Sequence, residues 1–354
     1  QAHVLHVGLG HSADLLVGIT YPNGETLSTN YNAQGAVTAV DSEYWISYAG
    51  QAKYDEAGRQ LHDGLWPIIA VRRIALHFRW AQPDGVLALY QAGSEGPQWW
   101  SAHADPVRDG PQAKPVGILD RCEATRTCPK IMEHFGSAEV WALKLTPEWI
   151  GTDAQRDLPL PSNVRRCDIA SSNHGGGAGG FDTSLLGVAL PTTGPSCPGN
   201  NYGSGVLAAN PVPHTETVNA LRAHFRQWVM RGVEPPPSRW PTLAPRAGEV
   251  RGSLVPAHKA AMGFPTLPQL RPTVPEPDFI MPVMDYDWGP DFNAADGSGV
   301  AAKAPPPIRQ VLPMYAPRVD PDGNELGGVP VVLLEAPLGT YLGWNITAGG
   351  ARPF

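Results

Sequence analysis

AHVLHVGLGHSADLLVGI, residues 2–19, is the most informative stretch of this sequence. Residues 2–9 predict a short buried strand. The chain then passes through Gly8-Leu9-Gly10-His11-Ser12-Ala13 into the apolar residues 15–19. The predicted order is therefore a strand, a sharp glycine-rich turn and a helix.

This order is typical of a nucleophile elbow, which active α/β-hydrolases write as G-x-S-x-G. Because strand and helix approach closely there, the nucleophile needs small residues two places to either side. Gly10 meets this condition, with Gly8 before it and Ser12 after it, whereas Ser12 is followed two places later by Asp14. The steric argument thus puts Gly10, which has no nucleophilic side chain, at the nucleophile's position, with the amide of His11 as the oxyanion donor.

Ser12 is the nearest hydroxyl, and two interpretations of it stay open. It is either the nucleophile or an N-cap-like residue that starts the helix. Several strands and an oxyanion loop normally precede an elbow, and a strand at residues 3–9 without neighbours would expose an apolar sheet edge. We therefore expect a second polypeptide, or a separate N-terminal fragment, to supply the missing strands.

The composition narrows the class of protein. The chain has 354 residues, 42% of them hydrophobic, which is enough for a sizeable core, and its net charge is −7. An acidic balance argues against nucleic-acid binding, and the absence of an 18-residue apolar run argues against a membrane span. The glycine run at 175–180 lacks the Gly-Lys-Ser/Thr of a phosphate-binding loop, so no cofactor is expected.

Cysteine spacing favours disulfides over a metal site. Cys122 and Cys128 flank a five-residue loop that a disulfide can close, and Cys167 and Cys197 are candidates for a second bridge. The C-x₂-C pairs of zinc sites are missing, so no metal is expected. Two disulfides predict an extracytoplasmic location, periplasmic or secreted.

The chain divides into a core at residues 1–240, with a loop-rich, aromatic lid insertion around 71–120, and a Pro-rich tail at 241–354 that wraps the core. Buried strands are predicted at 63–70, 129–135 and 164–170, and an amphipathic helix at 215–230 that Gly232 stops. The motif DPDGNE at 320–325 lacks EF-hand spacing, and we expect it to be a hairpin turn between strands at 314–319 and 329–334.

Catalytic triads of α/β-hydrolases follow the chain order nucleophile, acid, histidine, each beyond the end of a strand. Glu139 and His174 follow two of the predicted strands in this order. Glu139 is suited to orient an imidazole and His174 to act as the base. Glu133 and Asp153 compete for the role of the acid.

Several segments together resemble a large family of bacterial α/β-hydrolase-domain proteins, many of them secreted. They are LDRC (119–122), PKI (129–131), AEVW (138–141), RDLPLP (156–161), NVR (163–165), ASSNHGG (170–176), PPPSRWP (235–241), VDPDGNE (319–325) and TYLGWN (340–345).

The resemblance implies an α/β fold, the C-terminal part of an α/β-hydrolase with a Pro-rich C-terminal extension. It places Glu139 on the acid position and His174 on the histidine. The family's elbow is similar to G-x-S-Q-S-A, which aligns Gly10 with the nucleophilic serine and Ser12 with the second serine.

Two functions follow. The first is hydrolysis of an ester or lactone of a small apolar substrate by a site of Ser12, Glu139 and His174, since aromatic-rich loops favour apolar ligands. The alternative is an inactive hydrolase-like subunit that binds a partner chain or ligand. A hydrolase-derived lyase or isomerase that uses Glu139 and His174 without a covalent step is a third option.

Overall fold

A computed structural model describes residues 18–20, 26–28, 60, 62–69, 119–142, 144–174, 176–177, 210–266, 283–287, 289–290, 292–293, 298–299, 302–303, 307–347 and 350–353. The predicted first strand, the elbow residues Gly10, His11 and Ser12, and nearly all of the predicted lid insertion lie outside the described residues. The expectations placed on them remain predictions.

The described strands are β1 Gly18–Thr20, β2 Thr26–Ser28, β3 Gly64–Leu65, β4 Lys130–Gly136, β5 Val164–Ile169, β6 Leu254–Pro256, β7 Val283–Tyr286, β8 Phe292–Asn293, β9 Ser298–Gly299, β10 Ile308–Leu312, β11 Tyr315–Pro317, β12 Trp344–Thr347 and β13 Gly350–Pro353. The described helices are α1 Asp120–Thr125, α2 Ser137–Ala142, α3 Thr146–Ile150, α4 Thr215–Arg231, α5 Lys259–Met262 and α6 Val332–Glu335.

A parallel sheet in the order β3-β4-β5 forms the centre of the described fold. Its middle strand, β4, is buried on both faces from Ile131 onward, which is the environment that apolar strands of parallel sheets require. The α/β class and the strands predicted at 129–135 and 164–170 are confirmed. The strand predicted at 63–70 is shorter: after Leu65 only an isolated bridge from Ile68 to His134 continues the pairing.

Helix α4 covers one face of the sheet, and its predicted position is confirmed. Leu221, Phe225 and Trp228 point inward and pack with Met132 of β4 and Cys167 of β5. The helix ends at a left-handed glycine, Gly232 (φ 72°), as its sequence predicts. No helix among the described residues has both the length and the apolar character that crossing a membrane demands.

The first predicted disulfide is present and the second is not. Cys122 and Cys128 are bridged across the end of α1. Cys167 is a free thiol, 5% exposed beneath α4, so its predicted bridge to Cys197 is wrong. Alternate residues of β5 point to opposite faces of the sheet. Cys167, which was expected to bond Cys197, lies on the face that α4 covers and is part of the core.

Two segments beyond residue 238 pair with β5. Arg239 and Val329 form parallel bridges with Cys167 and Ile169, so both segments lie beside the same strand. Strand β11 pairs with β6, not with residues 329–334, which include helix α6. The predicted hairpin is therefore wrong, because the strand before the turn pairs with β6 and not with the residues after the turn. The turn itself is present, and an antiparallel bridge between Val319 and Glu325 closes it.

Near the N-terminus, β1 and β2 form a short antiparallel hairpin. The helix predicted for residues 15–19 therefore does not extend to Gly18 and Ile19. Pro22, Asn23 and Gly24 lie between the two strands, and this turn chemistry favours a hairpin over a continuing helix.

Candidate active site

The first part of the site is the turn between β4 and α2. The strand ends at Gly136 and the helix begins at once with Ser137, which buries Glu139 in the first turn of α2. Its Oε2 accepts a hydrogen bond from the amide of Gly136 (2.5 Å). The strand end therefore fixes the direction of the carboxylate.

The second part is the loop that follows β5. Because β4 and β5 are parallel and Gly136 is in register with Ile169, their carboxyl ends meet at one edge of the sheet. A Cβ on Gly136 would lie 2.7 Å from Oγ of Ser172 and 2.9 Å from the carbonyl of Asn173. Only glycine allows the loop to pass this close to the strand, and the next residue of that loop is His174.

The two parts meet in a hydrogen bond between Nδ1 of His174 and Oε1 of Glu139. A carboxylate only accepts, so Nδ1 carries the proton and Nε2 is the free base. The Glu139 side chain is 1% exposed, whereas that of His174 is 48% exposed. A buried acid thus orients a histidine that remains accessible.

The electrostatics follow from this geometry. The hydrogen bond to Glu139 raises the pKa of His174 above its ordinary value, against the opposing effect of burial. Burial raises the pKa of Glu139, and its hydrogen bonds from His174 and Gly136 oppose that shift. The Glu139 carboxylate therefore stabilises a positive charge on His174.

Two further histidines lie behind the site. Nε2 of His214 is 2.7 Å from Oγ of Ser172, whose own proton goes to the carbonyl of Ile169 (2.6 Å), so the imidazole donates. Burial lowers the pKa of His214 to about 4 and that of His134 to about 3. Both pKa values predict neutral rings near pH 7, and His214 supports the loop through its hydrogen bond to Ser172.

Glu325 reaches the same edge from the C-terminal part of the chain. Its Oε1 accepts hydrogen bonds from Oγ of Ser137 (2.6 Å) and Nε1 of Trp141 (2.8 Å). Its Oε2 accepts one from the amide of Ser171 (2.8 Å), and its own amide donates to Oγ of Ser171 (2.8 Å). Ser171 has a left-handed backbone (φ 53°), a conformation that non-glycine residues adopt at a cost.

Asp168 is the third buried acid in this region. It is completely buried, and neither carboxylate oxygen has a hydrogen-bond partner among the described residues. Burial, and after it the charges of Glu325 and Glu139, raise its pKa well above the ordinary value. The environment of Asp168 therefore favours the protonated, neutral form of its carboxyl group.

The competing acids lie elsewhere. Glu133 is buried and paired with Arg166 (2.8 Å), and Asp153 is partly exposed and paired with Arg156 (3.3 Å). Neither pair involves His174. The described residues contain no group of His, Cys, Asp and Glu side chains arranged to hold a metal ion.

Sequence reasoning missed His214, Asp168 and Glu325. Asp168 lies between the apolar residues Cys167 and Ile169 inside a predicted strand, which is a usable signal for a buried acid. Glu325 ends a turn motif that the sequence did identify, but nothing local indicates where its side chain points.

A parallel sheet with an acid and a histidine at the carboxyl ends of neighbouring strands defines a hydrolase-type α/β domain. The chain matches the family model of an alpha/beta hydrolase domain over residues 34–354, and it belongs to that family. The stretch 8–13 lies before the matched residues. Neither the curated proteins nor the solved structures gave a match.

Proposed function

We propose that this alpha/beta hydrolase domain cleaves an ester or lactone of an apolar substrate, with Glu139 as the acid and His174 as the base. The observation that carries the proposal is the hydrogen bond between buried Glu139 and accessible His174. In the proposed mechanism Ser12 supplies the nucleophile.

The two ring nitrogens of His174 have different roles: Nδ1 stays hydrogen-bonded to Glu139, and Nε2 transfers the protons. Nε2 takes the proton of the nucleophile's hydroxyl while its oxygen bonds to the substrate carbonyl carbon. The same proton then passes to the leaving alcohol oxygen as the ester bond breaks, which leaves an acyl-enzyme. Water attacks this ester with Nε2 again as base, and the acid product leaves with the enzyme's hydroxyl restored.

Glu139 contributes by stabilising the imidazolium that forms in each step. Its carboxylate is already held by Gly136 and His174, so it needs no reorganisation when the charge appears. A raised pKa of His174 makes it a stronger base than an ordinary histidine.

A fluorophosphonate probe tests the proposal on the purified full chain. We expect a covalent adduct on Ser12, identified by peptide mapping, and turnover of p-nitrophenyl acetate. The adduct should be absent from Ser12→Ala and retained in the matched control Ser162→Ala, whose side chain is at an exposed turn.

Each outcome is decisive. An adduct on another serine would support the hydrolase and refute Ser12 as its nucleophile. Absence of both adduct and turnover in folded protein would overturn the proposal in favour of an inactive, ligand- or partner-binding hydrolase-like subunit.

We further propose an extracytoplasmic location. The support is the Cys122–Cys128 disulfide, since such bonds form and persist in oxidising compartments. Free thiols at both positions in protein isolated from its native host under alkylating conditions would refute this.

A further inference from the structure

The motif at 320–325, which the sequence predicts as a simple turn, fixes the position of Glu325 through its own hydrogen bonds. Oδ1 of Asp320 accepts hydrogen bonds from the amides of Asp322 and Asn324 (both 2.9 Å). Gly323 occupies the left-handed conformation (φ 84°) that closes the turn. Glu325, the last residue of the motif, therefore follows a turn whose backbone is fixed by hydrogen bonds.

Asn324 anchors this turn to the chain that follows. Its side-chain amide donates to the carbonyl of Gly339 (3.1 Å), and its oxygen accepts from the amide of Tyr341 (2.8 Å). Asn324 is 1% exposed, and its bond from the amide of Tyr341 is buried. These two bonds hold the backbone next to Glu325 independently of the contacts that the Glu325 side chain makes at the sheet edge.

Glu325 then contacts both elements that carry the acid–base pair. Ser137 and Trp141 belong to α2, the helix of Glu139, and Ser171 belongs to the loop of His174. Ser137 lies two residues before Glu139, and Ser171 lies three residues before His174. The Glu325 carboxylate therefore joins helix α2 to the loop of His174. The other bonds between the ends of these two elements are mainly the Glu139–His174 hydrogen bond and the Ala138–Ser172 backbone hydrogen bond.

We infer that Glu325 is a positioning residue of this site, which holds the α2 turn and the histidine loop at the separation that the Glu139–His174 hydrogen bond requires. This inference rests on the proposed function of that pair. The strained backbone of Ser171 supports it, because Glu325 satisfies both the amide and the hydroxyl of that residue and so offsets the cost of its conformation.

Charge distinguishes positioning from simple stabilisation of the fold. Glu325 is buried close to Asp168, and burial raises the pKa of Glu325. A buried carboxylate is an expensive way to stabilise a fold. What it provides is a bidentate acceptor that reaches both elements at once.

The test is the titration of His174 by NMR in full-length protein with labelled histidines, assigned with His174→Asn. Glu325→Gln removes one of the two acceptor oxygens, so the Glu139–His174 bond should weaken and the pKa of His174 should fall towards its ordinary value. Where the protein turns over p-nitrophenyl acetate, kcat should fall at least about tenfold with KM little changed.

Two variants complete the experiment. Glu335→Gln, an exposed acid of the same segment, is the matched control and should leave His174 unchanged. Trp141→Phe removes one donor to Glu325 and keeps every acidic charge, so it should shift the titration in the same direction, by less. It separates geometry from charge, and it carries the test if Glu325→Gln does not fold.

An unchanged His174 titration in folded Glu325→Gln and Trp141→Phe overturns the inference. The NMR readout does not require activity, so it is independent of whether the chain hydrolyses esters. A shifted titration in an inactive protein supports the positioning role and contradicts the proposed function.

Discussion

Glu139 and His174 are hydrogen-bonded across 35 residues of sequence because the strands before them, β4 and β5, are adjacent and parallel. The bond raises the pKa of His174 in the folded protein. Below the ordinary pKa of histidine the pair therefore contributes its full stability. This contribution is lost as the pH rises through the raised pKa of His174.

The first prediction concerns Glu139→Gln. Without the carboxylate the imidazolium of His174 is less stable, so the acidic limb of the kcat/KM profile moves to lower pH. The maximum rate falls about a hundredfold or more because the developing charge is unsupported. Asp153→Asn, which alters the partly exposed Asp153–Arg156 ion pair, should leave the acidic limb and the maximum rate unchanged. An unmoved acidic limb in Glu139→Gln would show that another acid orients His174.

The second prediction concerns Gly136→Ala. The new Cβ would lie within 3.0 Å of Ser172, Asn173 and His214, which pushes the histidine loop from the strand. We expect a loss of about 1–3 kcal/mol in the free energy of unfolding, measured in urea, and a weaker Glu139–His174 bond. Gly339→Ala is the control, because an added Cβ there meets nothing within 4 Å. Equal stability of the two variants would contradict the close approach.

The third prediction concerns Asp168→Asn. The pKa of Asp168 is higher in the folded state than in the unfolded chain, so this group makes the free energy of unfolding fall as the pH rises above its ordinary pKa. Asparagine cannot ionise, and the variant should gain stability relative to the parent between pH 4 and pH 8. Urea unfolding at both values measures this, with exposed Asp322→Asn as control. A difference independent of pH would mean that Asp168 is ionised when folded.

The fourth prediction separates the cysteines. Reduction should open the Cys122–Cys128 bridge and destabilise the fold by about 2 kcal/mol, the value for so short a loop. Cys167 should resist alkylation in the native protein, because burial shields it and raises its pKa to about 11. Peptide mapping after alkylation, native and denatured, decides both points. Rapid native labelling of Cys167 would contradict its position under α4.

The fifth prediction concerns the elbow. If Gly10 occupies the nucleophile's position, Gly10→Ser should create or increase hydrolysis of p-nitrophenyl acetate, since the hydroxyl is then placed where His174 accepts its proton. If Ser12 is the nucleophile, Ser12→Ala abolishes activity and Gly10→Ser does not raise it. Initial rates of the three proteins, each also carried in a His174→Asn background, distinguish the two registers.

The C-terminal segment shows where prediction from sequence stopped. The turn at 320–325 was evident from its Asp, Gly and Asn residues, because turn chemistry is local. Its role was not, since Glu325 acts on Ser137 and Ser171, which are 188 and 154 residues away. The pairing of β11 with β6 was missed for the same reason. The sequence of β11 predicts a strand, but it does not specify which distant strand it pairs with.

Local sequence patterns were sufficient to predict the elements whose causes lie within a few residues of each other. These include β4, β5, helix α4 with its Gly232 terminus and the Cys122–Cys128 loop. The same patterns also predicted that Glu139 and His174 follow strands, because periodicity and turn residues specify where strands end. Because parallel neighbouring strands end at the same edge of the sheet, Glu139 and His174 are then expected to lie close together.

Tertiary structure alone decided which side chains became buried partners. It left Cys167 in the core without a bridge, the Asp168 carboxyl without a hydrogen-bond partner among the described residues, and Glu325 between the α2 turn and the loop of His174. These outcomes depend on the register of distant segments, and one residue of register reverses which face a strand side chain occupies. No local pattern encodes that choice, because it follows from the packing of the whole domain.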